Sequence, residues 1–267
     1  MPLAVCATPI GNLDDVTLRV LAELRAAELV LCEDTRHTRT LLERHGIDVR
    51  LLSYHEHNEA ARTAELLPRL EAGERLALVS DAGMPGINDP GARIVRAALE
   101  AGVPVTVLPG PSAVETALVA SGLVGERYQF LGFLPRGAKA LEGLWEELGR
   151  TDWPTVAFES PRRLPASLRS LAAADPERAV AVCRELTKRF EEIVRGTAVD
   201  LAERFAEPPK GEIVLVLGPA EPAARDEDAS LEAVAELVAA GVSRRQAADV
   251  VARLTGLPRR RLYESSL

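Results

Sequence analysis

Short apolar runs alternate with amphipathic stretches along most of this chain, and that alternation limits the possible folds more than any other feature. The first apolar runs are LAVCAT (3–8), LVLCED (29–34) and RLALVS (75–80), and stretches with helical periodicity separate them. Strands that alternate with helices in this way pair in parallel, with helices on both faces of the sheet. The sequence therefore predicts an α/β fold with a mainly parallel sheet.

Two helices of this first part carry more detailed predictions. A helix over residues 17–28 is predicted to place Leu18, Leu21 and Ala22 on one face, at helical spacing. Pro68 lacks a backbone N–H, so it is predicted to kink or split the third helix.

A second alternating block follows an aromatic-rich stretch at residues 127–136, so we expect two α/β domains, each with its own sheet. The predicted boundaries are 1–115 for the first domain and 116–220 for the second. A polar stretch rich in proline and alanine at 219–230 is typical of a linker. The residues beyond it, 229–267, are predicted to form a small helical appendage.

One helix of the appendage is marked by a capping box, with Ser243 at the N-cap and Gln246 three residues later. Ala247, Val251 and Leu254 then share one face of that helix. Two capped helices around a short turn are a common arrangement, so this region alone indicates no specific partner.

The charge of the chain is unevenly distributed. The net charge is −8, and residues 243–267 contain six arginines and two acidic residues, a net +4, so the rest of the chain carries −12. An acidic body argues against non-specific coating of nucleic acid. A basic C-terminal region is compatible with a local contact to RNA.

The composition is that of a soluble globular protein. No apolar run approaches the roughly 18–20 residues of a membrane span, and the first residues lack the basic region of a signal peptide, so we expect a cytoplasmic protein without a membrane partner. Cys6, Cys32 and Cys183 lie far apart in apolar runs, and we expect reduced thiols in the core.

Five turns at predicted strand ends are rich in glycine, proline and polar residues. They are TPIGNLDD, EDTRHT, SYHEHNE, SDAGMPGINDPG and PGPSA. Ligands of open α/β sheets bind outside the carboxyl ends of the strands, and function concentrates in loops. Five such turns at one edge predict a ligand crevice there.

Individual turns leave alternatives open. In PGPSA, Pro111 suits a first helical turn whose free N–H groups face an anion, but an ordinary strand–helix junction has the same pattern. In EDTRHTR, Arg36 and Arg39 either lie on a solvated surface or bind phosphate. The charged run RELTKRFEE is also typical of a solvated loop.

Several functional classes lack their signatures. The sequence contains no GxGxxG, no GxxxxGK[ST] and no GxSxG, which argues against a Rossmann dinucleotide site, a P-loop and a nucleophile elbow. His55 and His57 would point the same way on a strand, but no third ligand completes a metal site, so no metal is predicted.

Taken together, nine runs resemble the tetrapyrrole-methylase superfamily, and within it the branch that methylates ribosomal RNA. They occur in order between residues 8 and 218: TPIGNLDDVTLR, CEDTRHTRTLLERHGI, SYHEHNE, LVSDAGMPGINDPG, LPGPSA, GFLPR, ESPRRL, RELTKRFEEIVRG and GEIVLVLG. The resemblance implies two α/β domains with S-adenosylmethionine (SAM) in the cleft between them, and a homodimer. It also implies 2′-O-methylation of a cytidine ribose in small-subunit ribosomal RNA, either free or in the assembled subunit.

The resemblance also implies which residues line the cofactor cleft. They are Pro9, Asp81, Ala82, Gly83, Pro85, Ile87, Ser112, Ala113, Phe158, Glu159, Glu185, Leu186, Gly211 and Glu212. Met84 stands where the family pattern has threonine, and Asn88 where serine is usual, so hydrogen bonding in this loop differs from that pattern.

A ribose hydroxyl is a weak acid, so a nearby proton acceptor would assist methyl transfer. The candidates are Asp34, His55, His57 and, if burial lowers its pKa, Lys188, with the neighbourhood of Asp34 and His55 preferred. Arg36, Arg39 and Arg136 are candidates for contacts with RNA phosphates.

Three other functions remain open at this point. They are methylation of a porphyrin or corrin carbon, a non-catalytic RNA-binding module that retains SAM, and a phosphate-binding protein that uses the PGPSA helix end. The arginines of EDTRHTR and the basic C-terminal helices favour RNA over a tetrapyrrole.

Overall fold

The computed structural model describes residues 2–220, 227–255 and 257–265. These residues form two five-stranded β-sheets, their covering helices and a C-terminal helical group. The strands are β1 (Leu3–Cys6), β2 (Leu29–Cys32), β3 (Leu51–Ser53), β4 (Leu76–Val79), β5 (Val105–Leu108), β6 (Gln129–Phe133), β7 (Thr155–Glu159), β8 (Ala179–Arg184), β9 (Glu192–Thr197) and β10 (Ile213–Leu217). The helices are α1 (Leu18–Ala26), α2 (Thr35–Arg44), α3 (Glu59–Glu71), α4 (Ala92–Glu100), α5 (Ala113–Ser121), α6 (Ala138–Leu148), α7 (Leu164–Ala174), α8 (Ala198–Arg204), α9 (Glu227–Ala239), α10 (Arg244–Thr255) and α11 (Arg259–Ser265).

The first sheet has the strand order β3-β2-β4-β1-β5, and all of its strand pairs are parallel, as predicted. Helices α1 and α2 contribute to the apolar cluster on one face, and α3 and α4 to the cluster on the other. Burial on both faces explains why these strands read as continuous apolar runs. Because the strands are parallel, the loops that follow them emerge at one edge of the sheet.

The second sheet has the order β6-β7-β10-β8-β9, and only β6 and β7 pair in parallel. The pairs β7–β10, β10–β8 and β8–β9 are antiparallel. The prediction of two separate sheets is confirmed, but the mainly parallel arrangement does not extend to the second one. For the pair β8–β9 the reason is a short loop without a crossover helix, which reverses the chain.

Helix α5 connects the two sheets, and its packing bears on the predicted boundary after residue 115. Its buried Val114, Ala117 and Leu118 pack in a cluster with residues of the second sheet. A boundary after residue 115 would cut this helix, so the loop before Ala113 fits the packing better. The division of the chain into domains stays a prediction.

The buried face of α1 differs from the predicted one. Leu18 is 85% exposed and Ala22 is also exposed, whereas Val20, Leu21 and Leu24 are buried. Leu21 is buried as predicted, and the residues that face the core with it, Val20 and Leu24, lie at spacings that also fit one helix face.

Pro68 does not split the third helix, since α3 continues from Glu59 to Glu71. Its missing N–H removes one hydrogen bond, that to the Ala64 carbonyl, while the end of the helix is still closed by the hydrogen bond of 3.0 Å from Ala72 N–H to the Pro68 carbonyl.

The appendage helices α9, α10 and α11 pack around a small apolar core of their own. The predicted capping interaction is present, because Ser243 Oγ accepts a hydrogen bond from the backbone N–H of Gln246 at 3.4 Å. Ala247 and Val251 are buried, but Leu254 is 81% exposed, so the predicted face is wrong at its last position.

Candidate active site

A cavity of about 580 Å³ lies between the loops at the carboxyl edge of the first sheet and one face of the second sheet. Eleven of the fourteen residues predicted for the cofactor line it: Asp81, Ala82, Gly83, Ile87, Ser112, Ala113, Phe158, Glu159, Leu186, Gly211 and Glu212. A volume in the range of small-molecule sites, with mostly apolar walls and a few polar groups, is what a cofactor pocket needs.

The three other predicted cofactor residues do not line this cavity. Pro9 lies beside Asp81 in a small neighbouring cavity, and Pro85 is buried within its own loop. Glu185 lies behind Gly211, where its side chain supports the wall without forming it. These three positions therefore act on the cleft through their neighbours.

The long loop between β4 and α4 forms one wall of the cavity. Its start is fixed to the loop after β1, because Thr8 and Gly83 exchange backbone hydrogen bonds of 2.8 and 3.0 Å. Ser80 Oγ also donates to the Gly83 carbonyl at 3.1 Å. Gly83 has a φ of +76°, a conformation that glycine adopts without strain. The unusual length and composition of this loop thus produce a fixed backbone wall.

The far end of the same loop reaches the second sheet. Asn88 has a φ of +59°, and its side chain lies against Gly132 of β6, where a Cβ atom would come within 2.8 Å of Asn88 Oδ1. Gly132 itself has a φ of +68°, which favours glycine, and an added Cβ atom would displace the Asn88 side chain. The loop therefore bridges the two sheets across the mouth of the cavity.

The opposite wall includes the loops after β8 and before β10. Glu185 Oε1 accepts hydrogen bonds from the backbone N–H of Glu212 and from Lys188 Nζ, each at 3.0 Å, and Lys188 Nζ also donates to Glu212 Oε2 at 2.8 Å. Burial opposes the charge of Lys188, but the bonds to Glu212 and Glu185 outweigh it and raise the pKa of Lys188. The lowered pKa that a lysine base would need is absent, so Lys188 instead holds two loops together.

Aromatic side chains form the third part of the wall. The ring of Phe158 meets those of Phe130 and Phe133 edge-on, with centroid distances of 4.9 and 5.6 Å, and Phe133 is 61% exposed. Tyr128 donates a hydrogen bond of 2.6 Å to Glu115 at the same cavity. The aromatic-rich stretch marked these residues in the sequence, but only the fold places them beside the cleft.

The preferred catalytic pair does not line the cavity. Asp34 accepts hydrogen bonds from Arg36 Nε, Nη2 and backbone N–H at 2.7–3.1 Å, which lowers its pKa to about 2. A carboxylate held in this way is a weak base. His55 Nδ1 is buried without a hydrogen-bond partner, while Nε2 lies 3.2 Å from Asn58 Nδ2.

The remaining acidic residues near the cleft form a group that the sequence did not reveal. Asp89 lines the cavity beside Asp81, and its pKa is raised to about 6 by burial and by the charges of Glu33 and Asp81. The pKa of Glu33 is also raised, first by burial and then by Asp81. Glu33 follows β2, whereas Asp81 and Asp89 both belong to the loop after β4, so only the folded chain brings Glu33 to the other two.

All three cysteines are buried free thiols, as predicted. Burial raises the pKa of Cys6 to about 12 and that of Cys183 to about 11, and it also raises the pKa of Cys32. Because the thiolate is the reactive form, we expect a disulfide reagent at about pH 7.5 to label the native protein at least ~100-fold more slowly than the urea-unfolded protein. Stopped-flow measurement of released chromophore tests this, and one thiol reacting at the unfolded rate would contradict it.

Two family models match the chain. A model described as Tetrapyrrole (Corrin/Porphyrin) Methylases matches residues 2–202, and a model described as an RsmI C-terminal HTH domain matches residues 225–267. The chain therefore belongs to the tetrapyrrole methylases.

Similar proteins narrow this class further. A relative from Mesorhizobium japonicum is 45% identical over 268 residues, covering 99% of this chain and 91% of the relative. A relative from Synechocystis sp. is 43% identical over 270 residues, covering 99% and 97%. Both carry the name ribosomal RNA small subunit methyltransferase I. The chain belongs to that family of methyltransferases, within the tetrapyrrole methylases.

Solved structures agree with the predicted fold class. The methyltransferase CobJ superposes with a TM-score of 0.63 at 22% identity, covering 82% of this chain and 94% of CobJ. Uroporphyrin-III C-methyltransferase from Thermus thermophilus, in complex with S-adenosylhomocysteine, superposes with a TM-score of 0.57 at 19% identity, covering 82% and 97%. At these identities the comparison supports the fold alone.

Two further properties hold for residues 2–220, 227–255 and 257–265. No helix there is long and apolar enough to cross a bilayer. No three histidine, cysteine or acidic side chains come together in a group that could hold a metal ion.

Proposed function

We propose that this enzyme transfers the methyl group of SAM to the 2′-oxygen of a cytidine ribose in small-subunit ribosomal RNA. The observation that carries the proposal is the cleft, in which eleven of the fourteen residues assigned to SAM from the sequence line one cavity of about 580 Å³. The names of the relatives support ribosomal RNA as the substrate. The identity of the modified atom is inferred from the sequence resemblance.

The residues at the cleft suit SAM. The Gly83 wall offers backbone groups without a side chain, and the wall around Phe158 and Leu186 is apolar enough to receive an adenosine. When bound, SAM supplies a methyl group already activated on a sulfonium. The protein then has to hold the acceptor oxygen in line with that methyl group and exclude water.

Three arginines were assigned to RNA phosphates, and the structure separates them. Arg36 forms a two-point ion pair with Asp34, so its charge is partly neutralised. Arg39 and Arg136 are exposed, and no hydrogen bond or ion pair engages either side chain within the described residues. These two side chains are thus available to a phosphate backbone.

We expect Arg39→Ala and Arg136→Ala each to weaken RNA binding at all sequences and to reduce the slope of log K against log salt by about 1, since each removes one phosphate contact. Filter binding across a salt series measures both quantities. Arg169, an exposed arginine of α7, supplies the matched control, and Arg169→Ala leaves the slope unchanged. Equal slopes for all three variants and the unaltered protein would contradict this assignment.

Two assembly properties belong to the same proposal. The homodimer follows from the family resemblance, and both a homodimer and a cytoplasmic location fit an enzyme whose substrate is ribosomal RNA. Sedimentation equilibrium of the purified protein tests the dimer directly, and a single species at 28.7 kDa would contradict it.

The reaction itself is tested by methyl incorporation from labelled SAM into free ribosomal RNA and small-subunit particles from cells that lack this protein. One new 2′-O-methylcytidine, mapped by nuclease digestion and mass spectrometry, is the expected result. Comparison of the two substrates distinguishes free RNA from the assembled subunit. Label in a porphyrin or corrin supplied as a competitor, with none in RNA, would replace this function with tetrapyrrole methylation.

A further inference from the structure

Five carboxylate side chains lie at the cavity among the described residues, and four of them are already engaged. Glu159 is held by three donors, Glu115 by two hydroxyl groups, Glu212 by Lys188, and Asp81 by the backbone N–H of Asp34. Asp89 accepts no hydrogen bond and forms no ion pair with any described residue. It is therefore the wall carboxylate whose oxygens are free to meet a bound substrate.

Contacts on both sides of Asp89 restrict its position. The side chain of the preceding residue, Asn88, lies against Gly132 of the second sheet. The residue two positions further, Gly91, has a φ of +140° and lies so close to β4 that a Cβ atom would come within 2.8 Å of Leu78 Cδ2. The carboxyl group thus belongs to a segment that contacts both sheets, and such contacts restrict the positions of a group that acts at a defined atom.

The charged neighbours of Asp89 come from two strands of the first sheet. Glu33 follows β2 and Asp81 follows β4, and both raise the pKa of Asp89 to about 6 in addition to the larger effect of burial. Asp34, His55 and Glu56 act in turn on Glu33. Asp89 is therefore protonated below about pH 6 and ionised above it, which suits a proton acceptor that works near neutral pH.

We propose that Asp89 accepts the proton of the ribose hydroxyl during methyl transfer, an inference that rests on the proposed function. The hydroxyl oxygen forms the new bond to the methyl carbon while the carbon–sulfur bond breaks. The electron pair of the broken carbon–sulfur bond stays on sulfur. The hydroxyl proton passes to the Asp89 carboxylate and then to water. Asp89 takes the role first assigned to Asp34, His55 and Lys188, none of which lines the cavity.

The first test compares Asp89→Asn with the unaltered protein in single-turnover methyl transfer to RNA. Asparagine has the same shape but cannot accept the proton, so we expect the rate to fall by about 10²–10⁴-fold. The dissociation constants for SAM and RNA, measured by calorimetry and filter binding, change by less than about threefold. A rate within about fivefold of the unaltered protein, or a loss of SAM binding that accounts for the defect, overturns the proposal.

The second test uses Glu33→Gln, which removes a negative charge beside Asp89 and leaves the carboxyl group itself. The single-turnover rate of the unaltered protein falls as the pH drops through about 6, and this acidic limb moves to lower pH in Glu33→Gln. A purely structural role for Asp89 predicts no such movement, so an unmoved limb also overturns the proposal.

The unaltered protein is run beside both variants. If it methylates no ribose, the proposed function fails. If the unaltered protein is active and both variants behave as it does, the proposed role of Asp89 is wrong and the proposed function stands.

Discussion

Replacing Gly211 by alanine is expected to raise the dissociation constant for SAM by about 10–100-fold, equivalent to about 1.4–2.7 kcal/mol. Gly211 lines the cavity with a φ of +96°, which an L-residue adopts only with strain. A Cβ atom there would lie 2.5 Å from Cγ, Cδ and Oε1 of Glu185. Glu185 cannot move aside freely, because Glu212 N–H and Lys188 both hold its carboxylate. The cavity wall must therefore shift.

Isothermal calorimetry with SAM measures this effect, and circular dichroism melting shows whether the variant is folded. Gly143→Ala is the matched control, since a Cβ atom at that exposed position of α6 meets no atom within 4 Å. It is expected to leave SAM affinity unchanged. A dissociation constant for Gly211→Ala within about twofold of the unaltered protein would show that Glu185 does not support the wall.

The sequence was sufficient to predict most elements of the fold, because most strands and helices are marked by their own short apolar pattern. The exception is α9, which begins at Glu227, inside the stretch 219–230 that was predicted to be a linker. Whether the strands of the second sheet run parallel or antiparallel was not predictable in the same way. The loop of residues 185–191 joins β8 to β9 as a reversal. Its charged run gave no sign of that, because the loop is held by contacts to Asn12 and Glu212 that are distant in sequence.

Some features of the candidate site could likewise be predicted from the sequence, and others could not. Backbone requirements are visible in sequence, since glycine and proline mark the loop around Gly83 that forms a wall of the cleft. The chemistry of individual side chains is not visible there. Asp34 is a candidate base until its hydrogen bonds with Arg36 are known, and the pKa of Asp89 is raised first by burial and then by the charges of Glu33, which follows another strand, and of Asp81 in its own loop. Burial and the side-chain contacts that set these pKa values are properties of the folded chain.

Variants of Glu159 can distinguish structural support of the cavity wall from direct contact with the cofactor, because this residue lines the cavity and is also buried. Its carboxylate accepts hydrogen bonds from Ser167 Oγ at 2.6 Å, Ser160 N–H at 2.7 Å and Arg163 Nη2 at 3.1 Å. We expect Glu159→Ala to lower the free energy of unfolding by about 3 kcal/mol, since it leaves three donors without their shared acceptor. This loss of stability is at the lower end of the range for breaking a buried ion pair, because Arg163 also donates to the carbonyls of Leu134 and Pro135.

Urea unfolding followed by tryptophan fluorescence measures this loss of stability in the part of the protein that contains Glu159. Both tryptophans, Trp145 and Trp153, belong to the part of the chain around the second sheet, so the signal reports the unfolding of that part. Glu159→Gln keeps one acceptor oxygen and is expected to lose less than half as much stability. If Glu159→Ala weakens SAM binding while the unfolding midpoint stays unchanged, the carboxylate contacts the cofactor directly. We expect the opposite result. Glu159→Ala lowers the free energy of unfolding, and the affinity for SAM changes only as far as the cavity wall is displaced by the loss of support.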